Sequence, residues 1–333
     1  MSVPPADLAT QPVGEAAEVA EGVYQIKLPL PLPLRFVSVY LVEGPEGWTL
    51  VDAGFDYPPA REAWEKGAAS VGCRLGGDVA RILVTHFHPD HLGGARWLQE
   101  RTGAPVYMLG EEISRSRTLW EEDRSQALAC HLRRHGMPPE VMEDVSGMRM
   151  ELRLPEEMAP LCAGEEVPLG GGRARAIHAP GHADHQMVLH DEERRILYAA
   201  DHLLLGITPS VGLWPESDPH PLESYLGSLA SLRGLRANLV LPGHGPVFYD
   251  LDGRISELIE HHTERLDATL ATLSGRPLTP YEISLRLFRR DLTVYERCFA
   301  LAETLAHLDK LVLERRAERI EDETVLFRPW CLG

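Results

Sequence analysis

Alternation of apolar and polar positions begins at Gly22. "GVYQIKLPL" and "SVYLVEG" have the two-residue period of half-buried strands, and "WTLVDAG" follows as a strand ending in a turn. The prolines of "LPLPLPL" exclude a central strand between the first two, because proline donates no ladder hydrogen bond; an edge or a loop near a pocket mouth fits instead. The pattern then predicts a helix from Pro59 to Ala69, a strand at "ARILVT", a helix at "LGGARWLQERTG" stopped by Gly103, and a strand at "PVYML". Residues 111–157 break this rhythm. They are rich in Glu, Arg and Met and poor in β-branched residues, which reads as a helical insertion or lid, more mobile than its surroundings. Strand signals return in "EEVPL-GGG-RARAIHAPGH", a hairpin around a glycine turn, and in "RRILYAAD" and "ANLVLPGHG". A helix near "PLESYLGSLASLRG" separates the last two.

From Asp250 the period becomes helical, with Ile255, Leu258, Ile259, His262, Leu266, Leu270 and Leu273 on one stripe. A second helix starts near Pro280 with Thr279 as its N-cap, and a third spans Val294 to Arg315. That third helix has apolar residues at Phe299, Leu301, Leu305, Leu308, Leu311, Val312 and Leu313, more than one stripe requires, so it must be covered on more than one side. "AERIE" and "TVLFR" close the chain as short strands. The expected organisation is α/β: a poorly ordered leader over residues 1–20, a main unit over 21–249, and a small, mainly helical, winged-helix-like unit over 250–333.

Charge narrows the partners. The formal net charge over 333 residues is −17, the wrong sign for a nonspecific binder of phosphate backbones. From Asp250 onward twelve basic residues face sixteen acidic ones, so the terminal unit is also not expected to bind nucleic acid. Packing against the main unit, support of a homodimer, or a pocket-wall role suits it better. None of the five cysteines forms a C-x-x-C pair, and their odd number argues against a complete disulfide framework, so a cytoplasmic setting is expected. The first residues lack a basic and apolar signal pattern, and no run of about 18 apolar residues suggests a membrane span.

The chemistry is concentrated in "THFHPDHLGG", where three histidines and an aspartate fall between His86 and His91. A tight loop past a strand end can turn His86 and His88 toward one ion, leaving Asp90 and His91 at the start of a helix to face another. One ion needs about four ligands, so partners must come from elsewhere. His182, Asp201 and His244 each follow an apolar strand, and loops at strand ends converge on one edge of a sheet. His182 can complete a triad with His86 and His88, His244 can join Asp90 and His91, and Asp201 can bridge. His178, His185, His190 and His202 read as supporting or exposed residues, not ligands. Asp184 is either a supporting acceptor or an exposed loop acid, and Trp214 either a pocket wall or a packed anchor. Tyr198 and Trp97 read as core, and neither His261 nor His262 is given a function.

H-x-H-x-D-H, then "PGH", "AAD" and "PGHG", in that order, resemble the metallo-β-lactamase superfamily over about Gly22 to Val247. The resemblance implies an αββα sandwich with a dinuclear site between its sheets. It implies His86, His88 and His182 as ligands of one metal, Asp90, His91 and His244 as ligands of the other, and Asp201 between them. "VDAG" matches as well, and Asp52 resembles the buried aspartate that orients the ligand loop. Two divalent ions are implied, zinc first, with iron or manganese as alternatives. The tail resembles the winged-helix appendage of some members. His91 stands where typical class B lactamases carry Cys, His88 where the flavodiiron oxygen reductases carry Glu, and "PGHGPV" where glyoxalase II has "GHEYT". The implied activity is therefore hydrolysis of a small ester, thioester or lactone by a metal-bridged hydroxide, with Asp90 as catalytic proton acceptor. A two-metal phosphodiesterase or ribonuclease is the second reading, and a non-enzymatic scaffold or regulator the third.

Overall fold

Strands whose two faces are both apolar need cover on each side, and the molecule meets that demand with four layers. The structure, a computed structural model, describes residues 11–31, 34–145, 151–215, 217–289 and 291–330. One sheet holds β1 (Ala16–Ala20), β2 (Val23–Pro29), β3 (Phe36–Val42), β4 (Trp48–Val51), β5 (Val79–Leu83), β6 (Val106–Leu109) and β7 (Met158–Leu161), in that order. The first four are antiparallel neighbours, and from β4 onward the pairs are parallel. The other sheet holds β8 (Glu166–Leu169), β9 (Gly172–His178), β10 (Met187–Asp191), β11 (Ile196–Ala200) and β12 (Leu239–Pro242), again in sequence order, antiparallel except for β11 with β12.

Strand alternation sorts the side chains into layers. Tyr40 and Val42 of β3 meet Tyr198 of β11 and Leu189 of β10 in the core between the sheets, where Tyr40 and Tyr198 lie edge to face at 5.8 Å. Val37, Val39 and Leu41 point the other way, into a cluster with Trp64 and Ala68 of α1 (Pro58–Ser70). The one-turn α2 (Pro89–Leu92) and α3 (Ala95–Thr102) complete that outer layer through Leu92, Ala95 and Leu98. α3 stops where expected, at Gly103 with φ 71°, a conformation glycine adopts without strain. On the opposite outer face, Leu197, Ala199 and Val240 pack against α7 (Pro221–Leu232), α8 (Leu251–Thr272) and α10 (Val294–Leu313).

The insertion contributes α4 (Gly110–Glu121), α5 (Ser125–Arg134) and α6 (Pro139–Val145). The helical expectation to Glu157 fails beyond them. Residues 151–157 are not helical, and Met158–Leu161 pairs in parallel with β6. The reading of residues 1–20 as a leader is corrected at its far end, because Ala16–Ala20 pairs antiparallel with β2; residues 1–10 lie outside the described residues. An Ala-rich edge strand is held by its backbone, so it shows little alternation. β10 was also unanticipated. Its apolar run is short, and the charged turn after it hides the hairpin with β11.

The C-terminal segment has α8, α9 (Pro280–Leu287), α10, and a hairpin of β13 (Ala317–Ile320) and β14 (Leu326–Pro329). Capping boxes start α9, with Thr279 and Glu282, and α10, with Thr293 and Glu296. α10 is covered on two sides: Ala306, Leu308 and Leu311 join the cluster containing Tyr225 and Leu229 of α7, while Leu301 and Leu305 join Leu132 of α5 and Met137. This is the burial its excess of apolar positions requires.

Candidate metal centre

Seven side chains from four strand ends come together between the two sheets. His86 lies just past β5, and Asp90 and His91 ride on α2. His182 stands in the loop from β9 to β10, Asp201 just past β11 and His244 just past β12. His88 Nδ1 is 2.8 Å from His182 Nε2. Asp201 reaches His182 Nε2 at 3.5 Å, His244 Nε2 at 3.3 Å and His91 Nε2 at 3.4 Å. Asp90 Oδ2 is 3.1 Å from His244 Nε2. Three overlapping groups each have ligand atoms within 4.8 Å of one another: His86, His88 and His182; His86, His91 and Asp201; Asp90, His91 and His244.

Four of the histidines are held by Nδ1, which turns Nε2 inward. His91 Nδ1 meets Asp52 Oδ2 at 2.8 Å, His182 Nδ1 meets the Ser210 carbonyl at 2.8 Å, and His244 Nδ1 meets the Phe36 carbonyl at 3.0 Å. His86 Nδ1 is 3.0 Å from Thr85 Oγ1. Because the Thr85 hydroxyl donates to Asp52, its oxygen accepts from the His86 ring. Asp52 also accepts from Thr85 N at 2.8 Å. To do so it adopts φ 64°, a left-handed conformation that a non-glycine residue keeps only when its surroundings enforce it. The expected orienting role of Asp52 thus has a direct geometric basis.

Two further features were not read from the sequence. Glu112 in the first turn of α4 is completely buried, accepting from Phe87 N at 2.8 Å and His185 N at 3.2 Å. It ties together two ligand-bearing loops. Its acidic helix start reads on its own as ordinary compensation of the helix dipole. Gly243 lets the chain pass Asp201: a Cβ there would collide with Asp201 Oδ1 and sit 2.7 Å from His91 Cε1.

The cluster demands positive charge. Burial disfavours protonated His91 and His244, yet the carboxylates outweigh it. Asp201, Asp52 and Asp90 raise His91, and Asp201 and Asp90 push His244 up to about 10. Burial likewise works against ionised Asp90, but His91 and His244 bring it down to about 2. On the other side of the cluster, burial and then the neighbouring histidines lower His86 and His88, His88 to about 3, so their nitrogens are lone-pair donors at neutral pH. His86 Nε2, His91 Nε2 and Asp201 Oδ1 are buried without a hydrogen-bond partner. Polar atoms are rarely left this way unless an ion or water completes them. Imidazole nitrogens converging with carboxylate oxygens are a donor set suited to divalent cations. The residues therefore fit a metal centre.

His88 and His182 also line a cavity of about 410 Å³. Arg115, Leu119, Trp120, Leu128 and Met142 from the helical insertion wall it, as does Trp214, which is both a wall and a packed anchor on the cluster of Leu132, Leu301 and Leu305. Tyr295, Cys298 and Phe299 of α10 close another side. The remaining histidines stay apart from the cluster. His178 is exposed, His190 is buried in β10 near the Arg236 carbonyl, and His202 lies under Ser228, 3.1 Å from its hydroxyl. His185 takes part only through its backbone N–H, and Asp184 pairs with Arg115 at 3.2 Å.

A layered α/β/β/α molecule with a His/Asp cluster at the strand ends between its sheets defines a metallo-hydrolase class. The chain belongs to the metallo-beta-lactamase superfamily, whose family model matches residues 32–244. A second model, the metallo-beta-lactamase-like C-terminal domain, matches residues 266–329. The structure is similar to that of a metallo-beta-lactamase family protein from Thermus thermophilus, with a TM-score of 0.84 and 36% identity over 94% of this chain and 100% of that one. The lactamase-like protein aptB of Emericella nidulans is 26% identical over 90% of this chain and 83% of its own length. An atrochrysone carboxyl ACP thioesterase of Passalora fulva is 23% identical over 67% of this chain and 55% of its own length.

Proposed function

We propose that the protein is a metal-dependent hydrolase of small esters, thioesters or lactones, with two divalent ions per chain. The observation that carries this is the placement of His88 and His182, which belong to the donor cluster and also line an apolar cavity. Zinc is our first choice, and the nitrogen and oxygen donors serve iron or manganese as well. His86, His88 and His182 would hold one ion, Asp90, His91 and His244 the other, with Asp201 between. Such cations lower the pKa of a water to roughly 7 and polarise a carbonyl oxygen. Asp52 and the Ser210 and Phe36 carbonyls fix the imidazole orientations, so little reorganisation is left for the reaction itself. Asp90, held by His244, is our proton acceptor. The relative named as a thioesterase supports the acyl side of this reading.

A panel of lactone, thioester, β-lactam and bis-nitrophenyl phosphate substrates tests it, with protein of measured metal content and a chelator control. Chelator-sensitive turnover of a thioester, ester or lactone is expected. Turnover of the phosphodiester alone would replace the reading with the two-metal phosphodiesterase. No turnover by fully loaded protein would leave a scaffold or regulator.

A further inference from the structure

The cavity beside His88 and His182 has walls from three distant parts of the chain. Leu119 and Trp120 come from α4, Trp214 from the loop after Asp201, and Tyr295 and Phe299 from one face of α10, four residues apart. Trp120 donates its indole N–H to the Phe87 carbonyl at 2.9 Å, which satisfies its only polar atom. Trp214 meets Phe299 edge to face at 5.1 Å, and Tyr295 packs on Phe299 at 4.8 Å. These rings are only partly buried, so they retain free surface. The charged side chains that line the cavity are engaged with one another or with the backbone: Arg115 pairs with Asp184 at 3.2 Å and donates to the Pro215 carbonyl at 3.5 Å, Arg124 pairs with Glu122 at 3.2 Å, and Asp123 accepts from Ser125 N at 3.0 Å. The volume, about 410 Å³, lies within the roughly 300–1,000 Å³ of small-ligand sites.

We infer that this cavity receives an uncharged, flat aromatic acyl group, delivering its carbonyl to His88 and His182, and that Phe299 of α10 sets the preference. The inference rests on the hydrolase reading above. A Trp214–Phe299 pair already set edge to face, with Tyr295 tilted at 52° on Phe299, favours another π system over a flexible chain, and charges already paired offer little to an anionic acyl group. In the reaction, water adds its oxygen to the carbonyl carbon and the carbon–sulfur bond breaks. The sulfur leaves as a thiol with one proton, and the aromatic carboxylate departs with release of the other.

The test compares 2-naphthoyl, octanoyl and acetyl thioesters of N-acetylcysteamine on the metal-loaded full chain, in wild type, Phe299→Ala and Phe299→Leu. The naphthoyl thioester is expected to lead acetyl by about tenfold or more in kcat/KM. Phe299→Ala should reduce that ratio by about tenfold, through KM, and Phe299→Leu should restore part of it. Calorimetric titration of the full chain with 2-acetonaphthone, an uncharged ketone that cannot be hydrolysed, reads the cavity without turnover. Saturable binding, weakened about tenfold by Phe299→Ala, is expected. Preference for octanoyl, an unchanged ratio in Phe299→Ala, or no ketone binding overturns the inference. If no thioester is hydrolysed although the ketone binds, the thioesterase form of the hydrolase reading fails and the aromatic cavity stands.

Discussion

Glu112 gives the sharpest mutational test of how the centre is supported. It is fully buried, and its two oxygens accept from Phe87 N and His185 N, one on each of two ligand-bearing loops. Glu112→Ala strands both donors, at roughly 1–3 kcal/mol each, so a loss of about 2–6 kcal/mol is expected. Glu112→Gln keeps one acceptor and turns an NH₂ group toward the other donor, so about half of that loss is expected. Cation affinity should fall as well, by about 10–100-fold, the usual effect of losing a group that orients ligands. Burial, helped by Asp184, pushes the Glu112 carboxyl up to about 8, against the backbone donors and Arg115. An acid raised in the folded state contributes stability below its unfolded pKa of 4.5 and loses it as pH rises toward about 8. The destabilisation caused by Glu112→Gln should therefore shrink between pH 5 and pH 8. Urea unfolding across that range, with zinc titration by competition against a chromophoric chelator, measures both effects. Unchanged zinc affinity in Glu112→Gln, together with unchanged stability in Glu112→Ala, would refute the reasoning.

Elemental analysis of reconstituted protein should find up to two divalent ions per chain, and His86→Ala should lower that number and abolish most activity; intact activity without bound metal would contradict this. His262 and His307 are buried 3.2 Å apart between α8 and α10, and burial first, then neighbouring cationic side chains, lowers them to about 3 and about 4. Their contribution to stability is complete above pH 6.5 and is lost as pH falls toward 4, so melting temperature should drop over that window, and less so in His307→Leu. Labelled duplex DNA or RNA titrated at low salt should show no micromolar binding; binding that weakens steeply with salt would favour the nuclease reading. Thr293→Ala removes the α10 capping box and should cost about 1 kcal/mol, checked by thermal unfolding.

Legibility followed locality. His86, His88, Asp90 and His91 stood out because one loop and one helical turn hold them, and His182, Asp201 and His244 because each follows an apolar strand. β10 and β7 are short, Pro160 interrupts the latter, and β1 is an alanine-rich edge, so none shows a clear period. Glu112, Tyr295 and Phe299 reach the site only across the fold. Nothing in their local sequence distinguishes an acid that spans two loops from one at a helix start, or a cavity ring from a core ring. The ligands, the Asp52 support and Trp214 as a candidate wall could be read from short motifs and loop composition, whereas the Glu112 tie and the particular rings of α10 could not.

Every strand in both sheets pairs with the strand next to it in sequence. Residues 16–161 make one sheet and residues 166–242 the other, so each sheet is drawn from one continuous stretch of the chain. The ligands, however, are divided between them: His86, His88, Asp90 and His91 follow β5, while His182, Asp201 and His244 follow strands of the second sheet. The centre cannot exist until the two halves dock. A refolding experiment should then show secondary structure forming at a rate indifferent to divalent cations, and a later phase, reported by tertiary fluorescence, whose reversal slows when they are present. With the proposed cations bound, the same division would make the centre a molecular staple, and their release should loosen the seam between the sheets before either sheet unravels.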